Sequence, residues 1–262
     1  MSACLLLLLG CDSRYVYFPA AWEPADWAGI SGLPLKDVAF EASDGTTLHG
    51  WAIPAGNGSP WLLFCHGNAG NIVHRLEHLA VLYRQNISVF IFDYRGYGRS
   101  AGVPSEDGLY RDAAAAYDTL TQRYHVTPQQ LVLFGESLGS AVAADLAARR
   151  QAAGLILEAP FSSVTEMFKA ARMPRVLRPL IRARYEVVKR MPQVRMPVLV
   201  IHGDRDDIVP TALGRQVFEA AASPKEMYLI PGAGHNDLVA VGGEAYGQHL
   251  AGFVRRVTAQ GG

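Results

Sequence analysis

A chain of 262 residues, half of them apolar and 18% charged, has the balance of a globular protein able to bury a substantial core. Its 24 Lys and Arg match 24 Asp and Glu, so no global field draws it to nucleic acid or to strongly acidic substrates. Three cysteines (Cys4, Cys11, Cys65) are too few for a disulfide framework, and no repeat or low-complexity tract points to a solenoid or to disorder.

The chain opens with Met1-Ser2-Ala3-Cys4, five leucines, Gly10, Cys11 and Asp12. This run is too short to span a bilayer and has the character of the apolar region of a secretory signal. Leu8-Leu9-Gly10-Cys11 resembles the bacterial lipobox. That resemblance implies a signal segment over 1–10 and a lipidated Cys11 as first mature residue. It also implies anchorage to a bacterial membrane facing the periplasm or exterior, or otherwise secretion. Residues 11–35 are then expected to be an N-terminal tether, and 36–258 one domain. No other stretch approaches the length of a membrane-spanning helix.

From Lys36 the pattern becomes regular. Lys36–Ala42 and Thr46–Ile53 read as strands joined at Ser43-Asp44-Gly45, a hairpin turn. Trp61–Cys65 is continuously apolar, as in a strand buried on both faces, and makes Cys65 a core residue rather than a reactive thiol. Asn71–Gln85 carries Ile72, Leu76, Leu79 and Leu82 at helical spacing. Ser88–Asp93 is a strand, and Glu106–Tyr124 a helix with Ser105 as its N-cap. Gln130–Phe134 and Leu138–Arg150, then Ala153–Glu158, continue as strand, helix, strand. Pro197–Ile201, Thr211–Ala222, Glu226–Ile230 and Glu244–Val257 follow as strand, helix, strand, helix. Strands alternating with long helices predict an α/β fold with a mostly parallel sheet of about eight strands, helices on both faces and an antiparallel edge hairpin.

One stretch breaks the rhythm. Residues 162–196, interrupted by Pro174, Pro179 and Pro192, are too long for an ordinary connection and sit where a short lid would sit. Between Lys169 and Arg195 there are nine basic residues and one acid, Glu186, with Leu177, Leu180, Ile181 and Tyr185 interleaved. The pattern suits either a solvated basic surface or a lid lying on an anionic membrane beside the lipid anchor.

Gly135-Glu136-Ser137-Leu138-Gly139 is a G-x-S-x-G sequence between a predicted strand and a predicted helix. A sharp strand-to-helix turn needs small flanking residues so that the Ser137 hydroxyl projects above the sheet edge, where the helix dipole favours developing negative charge. Serine needs a base within hydrogen-bond reach. Of the two downstream candidates, His249 lies inside a predicted helix. His235 lies in a glycine-rich loop after a strand, at the sheet edge where such sites form. The acid should leave the strand Pro197–Ile201, and Asp204, Asp206 and Asp207 all qualify on spacing.

His202-Gly203-x-x-Asp206-x-x-Val209-Pro210 resembles a signature of α/β-hydrolases, and the resemblance implies Asp206 as the acid. Asp204 and Asp207 are then loop or helix-capping carboxylates. His66-Gly67-Asn68-Ala69-Gly70-Asn71 resembles that family's oxyanion loop, which implies the Asn68 and Leu138 backbone amides as the donor pair. Asp93-Tyr94-Arg95-Gly96-Tyr97-Gly98-Arg99-Ser100 resembles a further turn of the family and is read as structural. With Glu158-Ala159-Pro160-Phe161-Ser162-Ser163, these phrases are similar to the subgroup of membrane-anchored depalmitoylases and their bacterial lipoprotein relatives. The resemblance runs from about Lys36 to Val257. It implies ester or thioester cleavage through an acyl-enzyme on Ser137, with Asp206 and His235, on a small-molecule or acyl-chain substrate. No cofactor and no metal are implied. Amide hydrolysis on the same triad is the alternative.

Two other readings compete. His74-Arg75-Leu76-Glu77-His78 matches an inverted zinc-peptidase signature, but five-residue matches are cheap, and on the first helix after the oxyanion loop a solvent-facing polar stripe is expected. A non-catalytic binding protein on the same scaffold would usually lack a triad member, and none is missing here.

Overall fold

A computed structural model describes residues 16–174, 181–222 and 224–259. Cys4, Cys11, the 1–10 segment, and Arg175, Leu177, Arg178, Pro179 and Leu180 of the basic stretch lie outside the described residues.

Eight strands form one sheet: β1 (Lys36–Glu41), β2 (Thr47–Ile53), β3 (Trp61–Cys65), β4 (Ser88–Asp93), β5 (Leu131–Glu136), β6 (Gly154–Glu158), β7 (Val198–Gly203) and β8 (Lys225–Ile230). Their order is β8-β7-β6-β5-β3-β4-β2-β1. The six strands from β4 to β8 run parallel, and the β1–β2 hairpin adds an antiparallel edge. Parallel neighbours require long crossovers, and the helices supply them.

The central strands are apolar throughout because both their faces are covered. Side chains alternate between two cores. Leu63, Cys65, Phe90, Phe92, Leu131 and Leu133 face one, while Leu62, Phe64, Val89, Ile91, Val132 and Phe134 face the other. The first core is closed by α3 (Glu106–Asp118), α4 (Leu138–Arg149) and α7 (Thr211–Ala220), the second by α2 (Leu76–Arg84) and α8 (Leu238–Thr258). Ser105 caps α3 by accepting from the Gly108 N–H, as its sequence predicts. The last helix starts earlier than its periodicity suggests, at Leu238, and breaks at Gly243, whose φ of 52° is left-handed.

The tether expected over 11–35 is corrected for its described part. Tyr17 and Leu33 are buried, and α1 (Trp27–Ser31) is capped by Asp26. Phe18-Pro19 pairs in parallel with Ala69-Gly70, so this segment lies across the loop that follows β3. Apolar side chains at Tyr17, Trp22 and Leu33 drive this packing, with Trp22 edge-on to both His49 and Trp51.

The interruption between β6 and β7 contains α5 (Val164–Ala170) and α6 (Val187–Arg190), short as the prolines require. Its second half is core: Tyr185, Val187, Met191 and Val194 are buried. Glu106 holds it by accepting from the Arg184 and Tyr185 amides at 2.6 and 2.9 Å, and the Tyr185 hydroxyl meets that of Tyr17 at 2.7 Å. Several of its cations have acidic partners, with Lys169 on Glu166, Lys189 on Glu186 and Arg190 on Asp145.

Candidate active site at the carboxyl edge of the sheet

Ser137 follows the last residue of β5 and precedes α4, with φ 50° and ψ −113°, a strained backbone for a residue with a Cβ. Its N–H is spent on the Glu158 carbonyl at 2.8 Å. The flanking glycines are forced by close approach. A Cβ on Gly139 would collide with the Cys65 carbonyl, and one on Gly135 with the Gly139 carbonyl. The turn therefore brings α4 hard against the ends of β3 and β5, and the first amide of the helix, Leu138, has no carbonyl one turn back to bond.

His235 and Asp206 arrive from loops after β8 and β7. The two loops are stitched together: the Arg205 N–H donates to the Ala233 carbonyl at 2.9 Å, and the Gly232 N–H to Asp204 at 2.7 Å. Asp204 is thus a loop carboxylate, as the sequence reading has it. Asp207 is exposed and caps no helix, the N-cap of α7 being Pro210.

Ser137 Oγ lies 3.0 Å from His235 Nε2, and His235 Nδ1 lies 2.7 Å from Asp206 Oδ2. Asp206 is surrounded by donors. Its Oδ1 accepts from the Ile208 and Val209 amides at 3.0 and 2.7 Å, and its Oδ2 meets His202 Nε2 at 3.2 Å. Burial works to raise its carboxyl, but the hydrogen bonds from His202 and His235 outweigh it and hold Asp206 far below the usual carboxylate range. An ionised Asp206 only accepts, so His235 Nδ1 carries the proton and Nε2 is left to accept from Ser137. Sequence reasoning passed over His202, whose Nε2–H is shared with the Val209 carbonyl at 2.9 Å.

Asn68 sits in the loop after β3. Its side chain is fully engaged: Oδ1 accepts from Tyr97 Oη at 2.8 Å and from the Phe18 N–H at 3.3 Å, and Nδ2 donates to the Val16 carbonyl at 2.6 Å. Only its backbone amide remains for the role implied by resemblance. The Asp93–Ser100 turn is structural. Arg95 is clasped by Asp112 and Asp44 at 2.7 and 2.8 Å, and Ser100 donates to the Asp93 carbonyl at 2.7 Å.

Two carboxyl groups behind Ser137 escaped the sequence reading. Glu136 bonds Arg75 Nε at 2.6 Å. Glu158, at the end of β6, accepts from Tyr246 Oη at 2.6 Å, which in turn meets His78 Nε2 at 2.6 Å. Burial, helped by the negative charge of Glu136, pushes the Glu158 carboxyl up to about 8, and burial pushes His78 down to about 4. The solvent-facing polar stripe expected at His74–His78 holds for His74 and Glu77, which are exposed, and is corrected at His78. His78 is buried between Phe64, Phe134 and Tyr246, and His74 bonds Asn71. Among the described residues no three His, Cys, Asp or Glu side chains converge as a metal site. His249 stacks on Tyr228 at 4.1 Å, and Cys65 is buried, its thiol pushed far up by burial. A pocket of about 510 Å³ opens beside His235, reaching Gly70, Arg75, Glu136 and Leu238.

With this geometry in view, the likeness to known proteins is coherent. The model of a family described as serine aminopeptidase, S33, matches residues 59–182 and 167–239. The uncharacterized protein Rv2307c of Mycobacterium tuberculosis is 42% identical over 240 residues, covering 90% of this chain and 84% of that protein. Human alpha/beta hydrolase domain-containing protein 17B is 34% identical over 190 residues, 72% of this chain and 63% of that protein. The Pyrococcus furiosus esterase Pf2001 shares the fold, with a TM-score of 0.77 at 20% identity over 93% of this chain and all of that one. The chain belongs to the α/β-hydrolases, in the hydrolase family whose model is described as serine aminopeptidase, S33.

Proposed function

We propose that the protein is a serine hydrolase that cleaves carboxylic ester or thioester bonds through an acyl-enzyme on Ser137. The observation that carries this reading is the continuous hydrogen-bonded chain from Ser137 Oγ through His235 to Asp206, built on a strained turn. His235 Nε2 takes the hydroxyl proton as Oγ attacks the acyl carbonyl, and Asp206 favours the imidazolium that forms. The Asn68 and Leu138 amides donate to the oxyanion, each donor contributing about 10²–10³ in rate. His235 then protonates the departing alcohol or thiol, and a water, deprotonated by the same ring, releases the acid.

Hydrolysis of p-nitrophenyl esters and acyl thioesters of two to sixteen carbons tests this, alongside fluorophosphonate labelling followed by peptide mapping. Turnover should fall by at least about 10⁴-fold in Ser137→Ala, and the label should sit on Ser137. A wild-type protein that neither turns over these substrates nor takes the label would end the proposal. The family description names an aminopeptidase, which supports amide cleavage as a second reading. Aminoacyl p-nitroanilides, turned over faster than matched esters, would favour it.

A further inference from the structure

We infer that Arg75 and Glu136 are positioning residues for the oxyanion hole, an ion pair that bolts the Gly67–Ala69 loop to the strand end bearing Ser137. The inference rests on the acyl-enzyme reading above.

A hole built from two amides works only if they stay at fixed separation, because a displacement of an ångström costs much of the stabilisation. Here the two donors come from separate pieces of chain. Leu138 follows the nucleophile, whereas Asn68 lies in the loop after β3, 70 residues earlier. No backbone ladder joins the pieces, since the last β3–β5 pair is Cys65 with Gly135.

The ion pair spans that gap. Glu136 directly precedes Ser137, and its Oε2 accepts from Arg75 Nε at 2.6 Å and from the Gly67 N–H at 3.3 Å. Arg75 Nη2 donates to the Ala69 carbonyl at 3.1 Å. The residues on either side of Asn68 are therefore each hydrogen-bonded to the pair. The intervening peptide is oriented as well, because the Gly67 carbonyl lies 2.7 Å from His66 Nδ1. Burial pushes His66 down to about 4, so the ring is neutral and its proton on Nδ1 faces that carbonyl. In a trans peptide the Asn68 N–H points the opposite way. Gly67 has no room for a side chain, since a Cβ would lie 2.8 Å from Glu136 Oε1 and 3.0 Å from Arg75 Nη2.

Charge gives the pair an asymmetry that scaffolding alone lacks. A bare carboxylate one residue from Ser137 would oppose the developing oxyanion, and Arg75 cancels it. With side chains only 13% and 22% exposed, water screens this weakly. Burial works to raise the Glu136 carboxyl, yet the Arg75 charge and hydrogen bond keep it below its ordinary value and ionised.

The test uses ester turnover by the full chain, with wild type and Ser137→Ala run in parallel. Arg75→Met should lower kcat by about 10²–10³-fold with KM within threefold, and affinity for a trifluoromethyl ketone should fall in step with kcat/KM. Glu136→Gln keeps an acceptor for Gly67 and the cation, and should lose less than about tenfold. Adding Glu136→Gln to Arg75→Met should recover only the part of the loss due to the stranded carboxylate and leave the loss due to the unbolted loop. A double variant with the kcat of wild type would overturn the positioning role. If Arg75→Met does not fold, Arg75→Lys, which keeps the charge without the fork, carries the test with an expected loss of about tenfold in kcat. Folded Arg75 variants with unchanged kcat, or with the whole loss in KM, overturn the inference. A wild type without Ser137-dependent turnover overturns the acyl-enzyme reading instead.

Discussion

Around Ser137 the chain is held by close approach and internal charge, whereas the insertion between β6 and β7 is held by an apolar anchor and surface charge. At the Ser137 turn, Gly139 lies against the Cys65 carbonyl, the Ser137 amide is consumed by Glu158, and the Arg75–Glu136 pair is mostly shielded from water. In the insertion α5 buries no residue, and Lys189 pairs with Glu186 with 72% of the lysine side chain exposed. Its fixed points are Tyr185, Val187 and Met191. Shielded charges act over several ångströms and leave few residue types acceptable, while exposed pairs contribute about 1 kcal/mol or less. The turn should therefore answer substitution in rate, and the insertion's surface should hardly answer at all.

The widest separation between the regions is expected at Asp206→Asn. The variant keeps the shape but lets His235 hold its proton on the wrong nitrogen, and kcat for ester hydrolysis should drop about 10⁴-fold. A loss below tenfold would mean that the chain from Ser137 to Asp206 does not carry the chemistry.

A smaller effect is expected at Glu158→Gln, read in stability against pH. With its pKa raised to about 8 from 4.5, the folded protein keeps a proton that the unfolded chain releases, so stability falls as pH rises toward 8. His78 and His66, lowered to about 4 from 6.5, push the other way, but only below pH 6.5. From about pH 6.5 to 8 Glu158 sets the slope among these three, worth about 2 kcal/mol across the window. Glu158→Gln should flatten this part of a plot of Tm against pH, and an unaltered slope would show that Glu158 is ionised in the fold.

The smallest effect belongs to the insertion. Lys189→Gln should change unfolding free energy by less than about 1 kcal/mol in urea titration and leave ester turnover unaltered. A larger loss would erase the contrast.

How far the sequence reaches differs from residue to residue. Ser137 was legible because a strand, two glycines and a helix surround it, and His235 because its rival His249 lies inside a helical pattern. Asp206 was reached by resemblance alone. In the fold the three neighbouring acids separate by what they meet, with Asp204 on the Gly232 amide, Asp206 on His235 and Asp207 in solvent. Glu136 and Arg75 stayed hidden. One occupied a variable position of G-x-S-x-G, and the other lay inside a pattern weighed for zinc. A carboxylate ending the apolar run Leu131–Phe134 was the available signal, since a charge entering a core needs a partner. The packing of the N-terminal segment is not legible in sequence, because sparse apolar residues such as Tyr17, Trp22 and Leu33 have no periodicity to betray their burial.

The sequence by itself determined the alternation of strands and helices, the order of the sheet's building units and the candidate serine and histidine of the site. These follow from local periodicity and turn chemistry, which operate within a few residues. The tertiary structure decided which acid faces His235, that Phe18-Pro19 pairs with the loop after β3, and that Arg75 meets Glu136, 61 positions further along the chain. Such pairings depend on where separate loops converge at the carboxyl edge of the sheet, and only the assembled strand order brings those loops together.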